Sequence, residues 1–130
     1  MIEKNEPLDA ARRLFDTVEN GDLEDLRTIF ADDARVWHNT DNSFTDIPTT
    51  IRNLRTIRES ARLFAYRDIR RSATADGFVQ QHTLVVAMPD GPTIEDRCCC
   101  ICTVRGGRIE RMDAYHDSAA TGAMAHKAAS

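Results

Sequence analysis

The hydrophobic period of this chain changes once, at about residue 65, and that change limits what the chain can fold into. Before it, apolar residues recur three or four positions apart, which is typical of helices that bury one face. After it, apolar and polar residues alternate, which is typical of half-buried strands. Helices early and strands late predict an α+β domain in which helices pack on one face of a curved sheet.

Three helices are predicted in the first half of the chain. The first ends at Gly21, and the second begins at Asp22, a residue type that caps helix N-termini. The third begins at Asp46, and its apolar stripe continues to Phe64. A short strand over residues 34–39 is predicted between the second helix and the third.

Four strands are predicted in the second half, and Gly-containing and Pro-containing turns separate them. They cover residues 66–72, 77–88, 94–104 and 108–117. The last three should form a meander of antiparallel hairpins. We expect residues 1–130 to form a single domain with an ordered core over about 7–118 and a weakly ordered tail over 119–130.

Composition excludes several classes of partner. The net charge of -4 provides no basic field that would attract nucleic acid. No apolar run approaches the roughly 20 residues of a membrane span, and the N-terminus lacks the apolar segment of a signal peptide. We therefore expect no nucleic-acid partner, no membrane partner and a cytoplasmic location in which the four cysteines are reduced.

Seven arginines crowd into twenty residues of the third helix and the strand after it. They are Arg52, Arg55, Arg58, Arg62, Arg67, Arg70 and Arg71. One interpretation is a surface that binds anions or nucleic acid. The interpretation that we favour is a solvated face balanced by nearby acidic residues, because the protein is acidic overall.

Three short motifs lie at the junctions of the predicted elements. They are NGDL over residues 20–23, FADDA over 30–34 leading into VWHN over 36–39, and the last strand from GRI at 107 to YHD at 117. With the order of elements, they resemble the nuclear transport factor-like, or SnoaL-like, α+β cone family, which includes ketosteroid isomerase and limonene epoxide hydrolase. The resemblance covers about residues 7–118.

The resemblance implies a cone-shaped, curved antiparallel sheet with three N-terminal helices packed on its concave face, a cystatin-like α+β barrel. It implies a small-molecule ligand inside the cone and a homodimer packed through the sheet. It favours a small-molecule-binding domain that acts, without a cofactor, as an isomerase, cyclase or hydratase on a partly apolar substrate. The alternative is a non-catalytic binding or interaction module on the same scaffold.

The strand over residues 34–39 carries the first candidate site residues. Trp37 and Asn39 should share one face and His38 the other. In limonene epoxide hydrolase-like members a Tyr-x-Asn here holds the attacking water, and the resemblance aligns Trp37 and Asn39 with it. By another alignment His38 replaces the general-base aspartate of ketosteroid isomerase-like members. Alternation prevents both assignments together without a bulge, and a structural role for Trp37 and His38 remains a third possibility.

Polar residues interrupt the apolar strand over residues 77–88. Gln80 and His82 share a face and would form a polar patch inside the cone, where unpartnered burial would be costly. The alternative is a polar outer face at a dimer seam, with Gln81 turned inward. The epoxide hydrolase-like Arg-x-Asp is missing here.

The last strand places Tyr115 and Asp117 on one face, with Ala114 and His116 on the other. The Asp-Tyr-x-Asp of epoxide hydrolase-like members begins with their catalytic carboxylate, and Ala114 stands in its place. His116, two residues on, could take over the role. The first-helix tyrosine of ketosteroid isomerase-like members is replaced by Leu14. Both family templates are therefore incomplete.

These arguments predict a site made of three candidate catalytic residues, a set of ligand-binding residues and no metal. The catalytic candidates are His38, His82 and His116; the ligand-binding candidates are Trp37, Asn39, Gln80, Tyr115 and Asp117. Zinc held by the three histidines is a lesser alternative.

The stretch DRCCCIC at residues 96–102 contains all four cysteines. On a strand, Cys98, Cys100 and Cys102 share one face, roughly 6.6 Å apart, which is too far for two thiolates on one zinc ion. Neighbouring strand residues are also poorly placed for a disulfide. We expect small buried hydrophobic residues, with one further hypothesis: a reactive thiol that lines the cone opposite His82.

Overall fold

The computed structural model of the protein describes residues 6–117 and 119–120. The helices are α1 Glu6–Asn20, α2 Leu26–Ile29 and α3 Ile47–Ser60, with a 3-10 turn at Leu23–Asp25 before α2. The strands are β1 Phe30–His38, β2 Ser43–Asp46, β3 Leu63–Ala73, β4 Gly77–Ala87, β5 Thr93–Arg105 and β6 Arg108–Tyr115. The helices pack against one face of a six-stranded sheet, which confirms the α+β class. Most of the expected tail, 121–130, lies outside the described residues.

The helix boundaries follow the signals in the sequence. At Gly21, where α1 ends, a Cβ would lie 2.9 Å from Thr17 Cα, so a residue larger than glycine does not fit there unless the backbone shifts. The Asp46 carboxylate accepts a hydrogen bond from the Thr49 amide at 2.8 Å and so caps α3. The prediction that the third helix continues to Phe64 is wrong, because α3 ends at Ser60 and Phe64 lies on β3. Phe64 still packs on the core, so its helical spacing reflects burial rather than helix.

The strands are arranged in the order β2-β1-β6-β5-β4-β3. The meander of β4, β5 and β6 is antiparallel as predicted, and β3 adds to it. The sheet as a whole is mixed, because β1 pairs with β6 in parallel, and it is not closed. β1 begins at Phe30, four residues before the predicted start, and β2 was not predicted because four residues, SFTD, show too little alternation.

The face of the sheet that the helices cover is called the inner face below, and the opposite face the outer face. On β4, Gln80 and His82 are buried on the inner face and Gln81 is exposed. This is the predicted arrangement, and it excludes the alternative in which Gln81 turns inward. On β5, Cys98, Cys100 and Cys102 are all buried, as alternation requires.

Three of the seven clustered arginines form an ion pair or hydrogen bonds with other residues of the chain. Arg55 pairs with Glu24 at 3.0 Å, and Arg58 donates to the backbone oxygen of Val18 at 3.0 Å. Arg71 donates to the side-chain oxygen of Gln80 at 2.7 Å. Within the described ranges, no helix is long and apolar enough to cross a membrane.

Candidate functional site

A cavity of about 100 Å³ lies between the helices and the inner face of the sheet. Its walls are mostly aliphatic and aromatic, and α1, α2, α3 and the five strands β1, β3, β4, β5 and β6 contribute to them. The polar side chains in its lining include all three predicted catalytic histidines, His38, His82 and His116, and also Tyr66 and Thr50. A dry cavity of about 150 Å³ can hold benzene, so a cavity of about 100 Å³ has room for a ligand smaller than benzene.

His116 is held by a carboxylate that is completely buried. Its Nδ1 lies 3.0 Å from Oδ2 of Asp96, and Asp96 is 0% exposed. Hydrogen bonds from His116 and from the Asp117 amide lower the pKa of Asp96 against the opposing effect of burial, so the carboxylate is ionised. A carboxylate only accepts hydrogen bonds, so the ring proton of His116 is on Nδ1. In the neutral ring Nε2 then carries a lone pair, as a general base requires.

The backbone of His116 is fixed by Asn39. The His116 amide donates to Oδ1 of Asn39 at 2.7 Å, and Nδ2 of Asn39 donates to the His116 carbonyl at 3.2 Å. Asn39 follows the last residue of β1, so it does not share the outward face of Trp37 as strict alternation predicted. Its amide group is occupied by this clamp rather than directed at a ligand.

His38 stacks on His116 with ring centroids 5.7 Å apart and planes 18° apart. Its Nε2 lies 3.1 Å from the Thr45 hydroxyl, which is 2.9 Å from the Thr50 hydroxyl, and Thr50 donates to the Asp46 carbonyl at 2.8 Å. Because Thr50 donates to that carbonyl, Thr45 donates to Thr50 and His38 Nε2–H donates to Thr45. Burial, followed by the proximity of His116, lowers the pKa of His38.

His82 is held from its Nδ1 side. Nδ1 lies 2.9 Å from Nε2 of Gln80, whose oxygen accepts from Arg71. The ring packs against Tyr66 and Phe15, with centroids 4.7 Å and 5.3 Å away. Burial lowers the pKa of His82 to about 4, so the imidazole is neutral at physiological pH. Gln80 does not line the cavity; it acts through His82.

The other predicted ligand-binding residues lie elsewhere. Trp37 and Tyr115 pack edge to face, with ring centroids 5.2 Å apart, and neither lines the cavity. Trp37 donates its indole N–H to Asn42, and Tyr115 is 42% exposed. The Asp117 amide donates to Asp96, and its carboxylate accepts from the Ala119 amide at 3.0 Å. Alternation explains the first two placements, since both residues occupy outer-face positions.

Two of the four cysteines border the cavity, as the thiol hypothesis requires. Cys98 pairs in register with His82, and its sulfur lies 3.6 Å from Nδ1 of His116. However, burial raises the pKa of the Cys98 thiol far above its ordinary value, and the thiol donates to the Asp96 carbonyl at 3.4 Å. Asp96 and the thiol also approach the same ring nitrogen, so the three residues do not form a nucleophilic relay.

Side-chain atoms of Asp96, Cys98 and His116 lie within 4.8 Å of one another, a spacing that a metal ion could bridge. This trio differs from the three-histidine zinc alternative. The direct hydrogen bond between His116 and Asp96, and a thiol that keeps its proton, account for the arrangement without a metal.

The sequence interpretation missed Asp96 and Tyr66. Asp96 is two residues before Cys98, so the alternation already applied to the cysteines would have placed it on the inner face. An acidic residue at an inward strand position is a signal in its own right, because burial of an unpaired carboxylate is costly. Tyr66 begins a predicted strand, and only packing shows that it borders the cavity.

A family model for the SnoaL-like domain matches residues 11–112. The chain belongs to the SnoaL-like family. Comparison with curated proteins found no match. This SnoaL-like chain resembles several solved structures below 25% identity, which shows a common fold.

One is a putative polyketide cyclase, IdmH, from Streptomyces antibioticus, with a TM-score of 0.73 and 20% identity over 92% of this chain and 98% of that one. A second is a limonene epoxide hydrolase-like enzyme from M. tuberculosis, with a TM-score of 0.74 and 19% identity over 92% and 89%. A third is a nuclear transport factor-like protein from Burkholderia xenovorans, with a TM-score of 0.76 and 14% identity over 95% and 98%. The resemblance inferred from the sequence is thereby confirmed.

Proposed function

We propose that this protein binds a small, mostly apolar carbonyl compound in the cavity and removes a proton from the carbon next to the carbonyl group. The reaction class is a cofactor-independent isomerase or cyclase. The observation that carries the proposal is the hydrogen bond from His116 to the buried Asp96 carboxylate, which leaves Nε2 of His116 as a base at the cavity. The epoxide hydrolase and putative polyketide cyclase among the similar structures support a reactive cavity on this scaffold.

The proton transfer balances within the site. Nε2 of His116 takes the proton, the C–H electron pair forms the enolate, and the imidazolium that results lies 3.0 Å from the Asp96 carboxylate. Returning the proton to another carbon completes an isomerisation, and attack of the enolate carbon on a second carbonyl completes a cyclisation. The low polarity of the lining strengthens the attraction between the carboxylate and the imidazolium.

Exchange of carbon-bound hydrogen with solvent tests this proposal without a known product. We expect the protein to catalyse uptake of deuterium from D₂O at the α carbons of small ketones such as acetone, followed by NMR. His116→Gln should reduce the rate by about 10²-fold or more, since a positioned base contributes 10²–10⁴. Tyr115→Phe, on the outer face, is the matched control and should exchange at the wild-type rate.

Binding of these ketones without exchange would contradict catalysis and favour the non-catalytic binding module. No binding and no exchange would contradict both the catalytic proposal and the binding module.

We place the protein in the cytoplasm, a location supported by four free cysteines.

We also propose that the protein is a homodimer that packs through the outer face. Ile101 on β5, Tyr115 on β6 and Phe44 on β2 lie on that face and are 46%, 42% and 44% exposed. A second copy of this face would cover them and leave the cavities separate. Light scattering should give twice the chain mass of 14.6 kDa.

Ile101→Glu should reduce the scattering mass to that of one chain, because it buries a charge at the centre of the contact. Ile69→Glu is the matched control, since Ile69 is 47% exposed on the edge strand β3 and should leave the mass unchanged. A monomeric wild-type protein would refute the dimer and leave the cavity chemistry unaffected.

A further inference from the structure

A chain of hydrogen bonds from Arg71 through Gln80 determines which nitrogen of His82 carries the proton. A guanidinium only donates, so the atom of Gln80 that lies 2.7 Å from Nε of Arg71 is its carbonyl oxygen. The amide NH₂ of Gln80 therefore faces Nδ1 of His82 at 2.9 Å. An NH₂ group only donates, so Nδ1 accepts and the ring proton is on Nε2. Turning the Gln80 amide over would set donors against donors at the Arg71 contact.

The Nε2–H group of His82 is in reach of a ligand. Within the described part of the chain it has no hydrogen-bond partner, whereas no fully buried side-chain nitrogen or oxygen there lacks one. The atom is therefore accessible to a molecule the size of water. His82 is only 6% exposed and its ring borders the cavity, so that access is from the cavity.

His82 and His116 carry their protons in opposite arrangements. Asp96 holds the proton of His116 on Nδ1, so Nε2 is an acceptor. Gln80 holds the proton of His82 on Nε2, so Nε2 is a donor. Cys98 lies between the two rings, in register with His82 and with its sulfur 3.6 Å from His116 Nδ1. One donor and one acceptor are what a carbonyl group and its acidic C–H require.

We propose that His82 binds the carbonyl oxygen of the substrate through Nε2–H and stabilises the enolate oxygen that forms when His116 removes the α proton. This inference rests on the proposed function and narrows the substrate to a ketone, ester or related compound with an enolisable carbon. The C–H bond breaks, its electron pair becomes the C=C bond of the enolate, the negative charge develops on oxygen and the proton goes to Nε2 of His116. Gln80 and Arg71 are positioning residues that act through His82.

Neutrality of His82 suits this role. Burial and the nearby His116 and Arg71 favour the neutral ring, while Asp96 alone opposes them. A neutral imidazole donates a strong hydrogen bond but keeps its proton, so the enolate is stabilised without being converted to the enol at this residue. A preformed donor in an apolar cavity also needs no reorganisation during the reaction.

The first test uses acetone labelled with ¹³C at its carbonyl carbon. In the wild-type protein the carbonyl resonance of the bound ketone should lie downfield of its position in the free ketone, because a hydrogen bond withdraws electron density from the carbon. His82→Phe should abolish that shift and slow deuterium exchange by about 10²-fold, the usual effect of losing one oxyanion donor. His82→Gln restores an N–H and should recover part of both. Tyr66→Phe tests the rival donor: it removes the hydroxyl group of the tyrosine that packs against His82, and the shift should persist.

The second test moves the proton without removing the ring. Gln80→Glu places a carboxylate oxygen opposite Nδ1, which should draw the ring proton from Nε2 to Nδ1. Nitrogen-15 NMR of the histidines at pH 8 should show Nδ1 of His82 protonated and Nε2 unprotonated, the reverse of the wild-type protein. The carbonyl shift should be lost as well. Gln81→Glu makes the same change on the outer face and should alter neither signal. This test carries the proposal if His82→Phe does not fold.

The outcomes separate the two proposals. A carbonyl shift that depends on His82, without deuterium exchange, would support carbonyl binding by His82 and refute the proton abstraction. Exchange that is unaffected by His82→Phe, or a wild-type His82 with its proton on Nδ1, would overturn the inference and leave the role of His116 standing. Failure of acetone to bind, even at high millimolar concentration, would overturn it as well.

Discussion

The Asp96→Asn variant should lose about 10³–10⁴-fold in the rate of α-proton exchange while it still binds the ketone. The backbone amide of Asp117 donates to Oδ1 of Asp96 at 2.8 Å, so the asparagine must keep its oxygen there. Its NH₂ group then faces Nδ1 of His116 and donates to it. The ring proton of His116 moves to Nε2, and the base disappears although the shape of the site is unchanged.

Deuterium exchange and ketone binding, measured on the same preparation, check this expectation. The control is Asp113→Asn, which makes the same change on the outer face, where Asp113 pairs with Arg111 at 2.8 Å. That variant should exchange at the wild-type rate. An Asp96→Asn protein that retained a tenth of the wild-type rate would show that the buried carboxylate does not direct the chemistry of His116.

The second large effect is on stability in acid. The pKa of His82 is lowered from 6.5 to about 4 in the folded protein, chiefly by burial. Between these two values the unfolded chain binds a proton that the folded protein does not, so the free energy of unfolding rises with pH. The contribution is complete above pH 6.5 and declines as the pH falls. It should lose about 2 kcal/mol by pH 5, since each pH unit in this window corresponds to 1.36 kcal/mol.

Urea denaturation at pH 7 and pH 5 measures this loss. The window lies above the range in which most carboxylates titrate, so histidines dominate it. The lowered pKa of His38 acts in the same direction and remains in a His82→Gln variant. That variant should be clearly less sensitive to pH over the window. Equal sensitivity of the two proteins would mean that His82 accepts a proton in the folded state as readily as in the unfolded chain.

Alternation within strands could be predicted from the sequence, because it is a local property with a period of two residues. It correctly placed Gln80 and His82 on one face and Gln81 on the other, and the structure shows that the face of Gln80 and His82 is the inner one. It also buried Cys98 and left Cys99 half-buried on the other side. The same geometry excluded a zinc site and a disulfide within the cysteine-rich stretch.

Alternation failed where residues lie just beyond a strand. Asn39 follows β1 and His116 follows β6, and each is positioned by the other through two hydrogen bonds. That contact, and not the pleat of the strand, determines where their side chains point. Alternation predicted that Trp37 and Asn39 share one face of the strand. That prediction is therefore correct only for Trp37.

The sequence by itself determined the order of the predicted helices and strands and which residues of a strand share a face, since both depend on neighbours a few positions apart. Only the tertiary structure decided which inward residues meet. Asp96 and His116 are 20 residues apart, and their contact depends on the register of β5 with β6, which shifts between Thr103 and Val104. The proton positions on His82 and His116 depend on hydrogen bonds to Gln80 and Asp96. Those positions set one ring as donor and the other as base, because an imidazole takes its role from the partner that its other nitrogen meets.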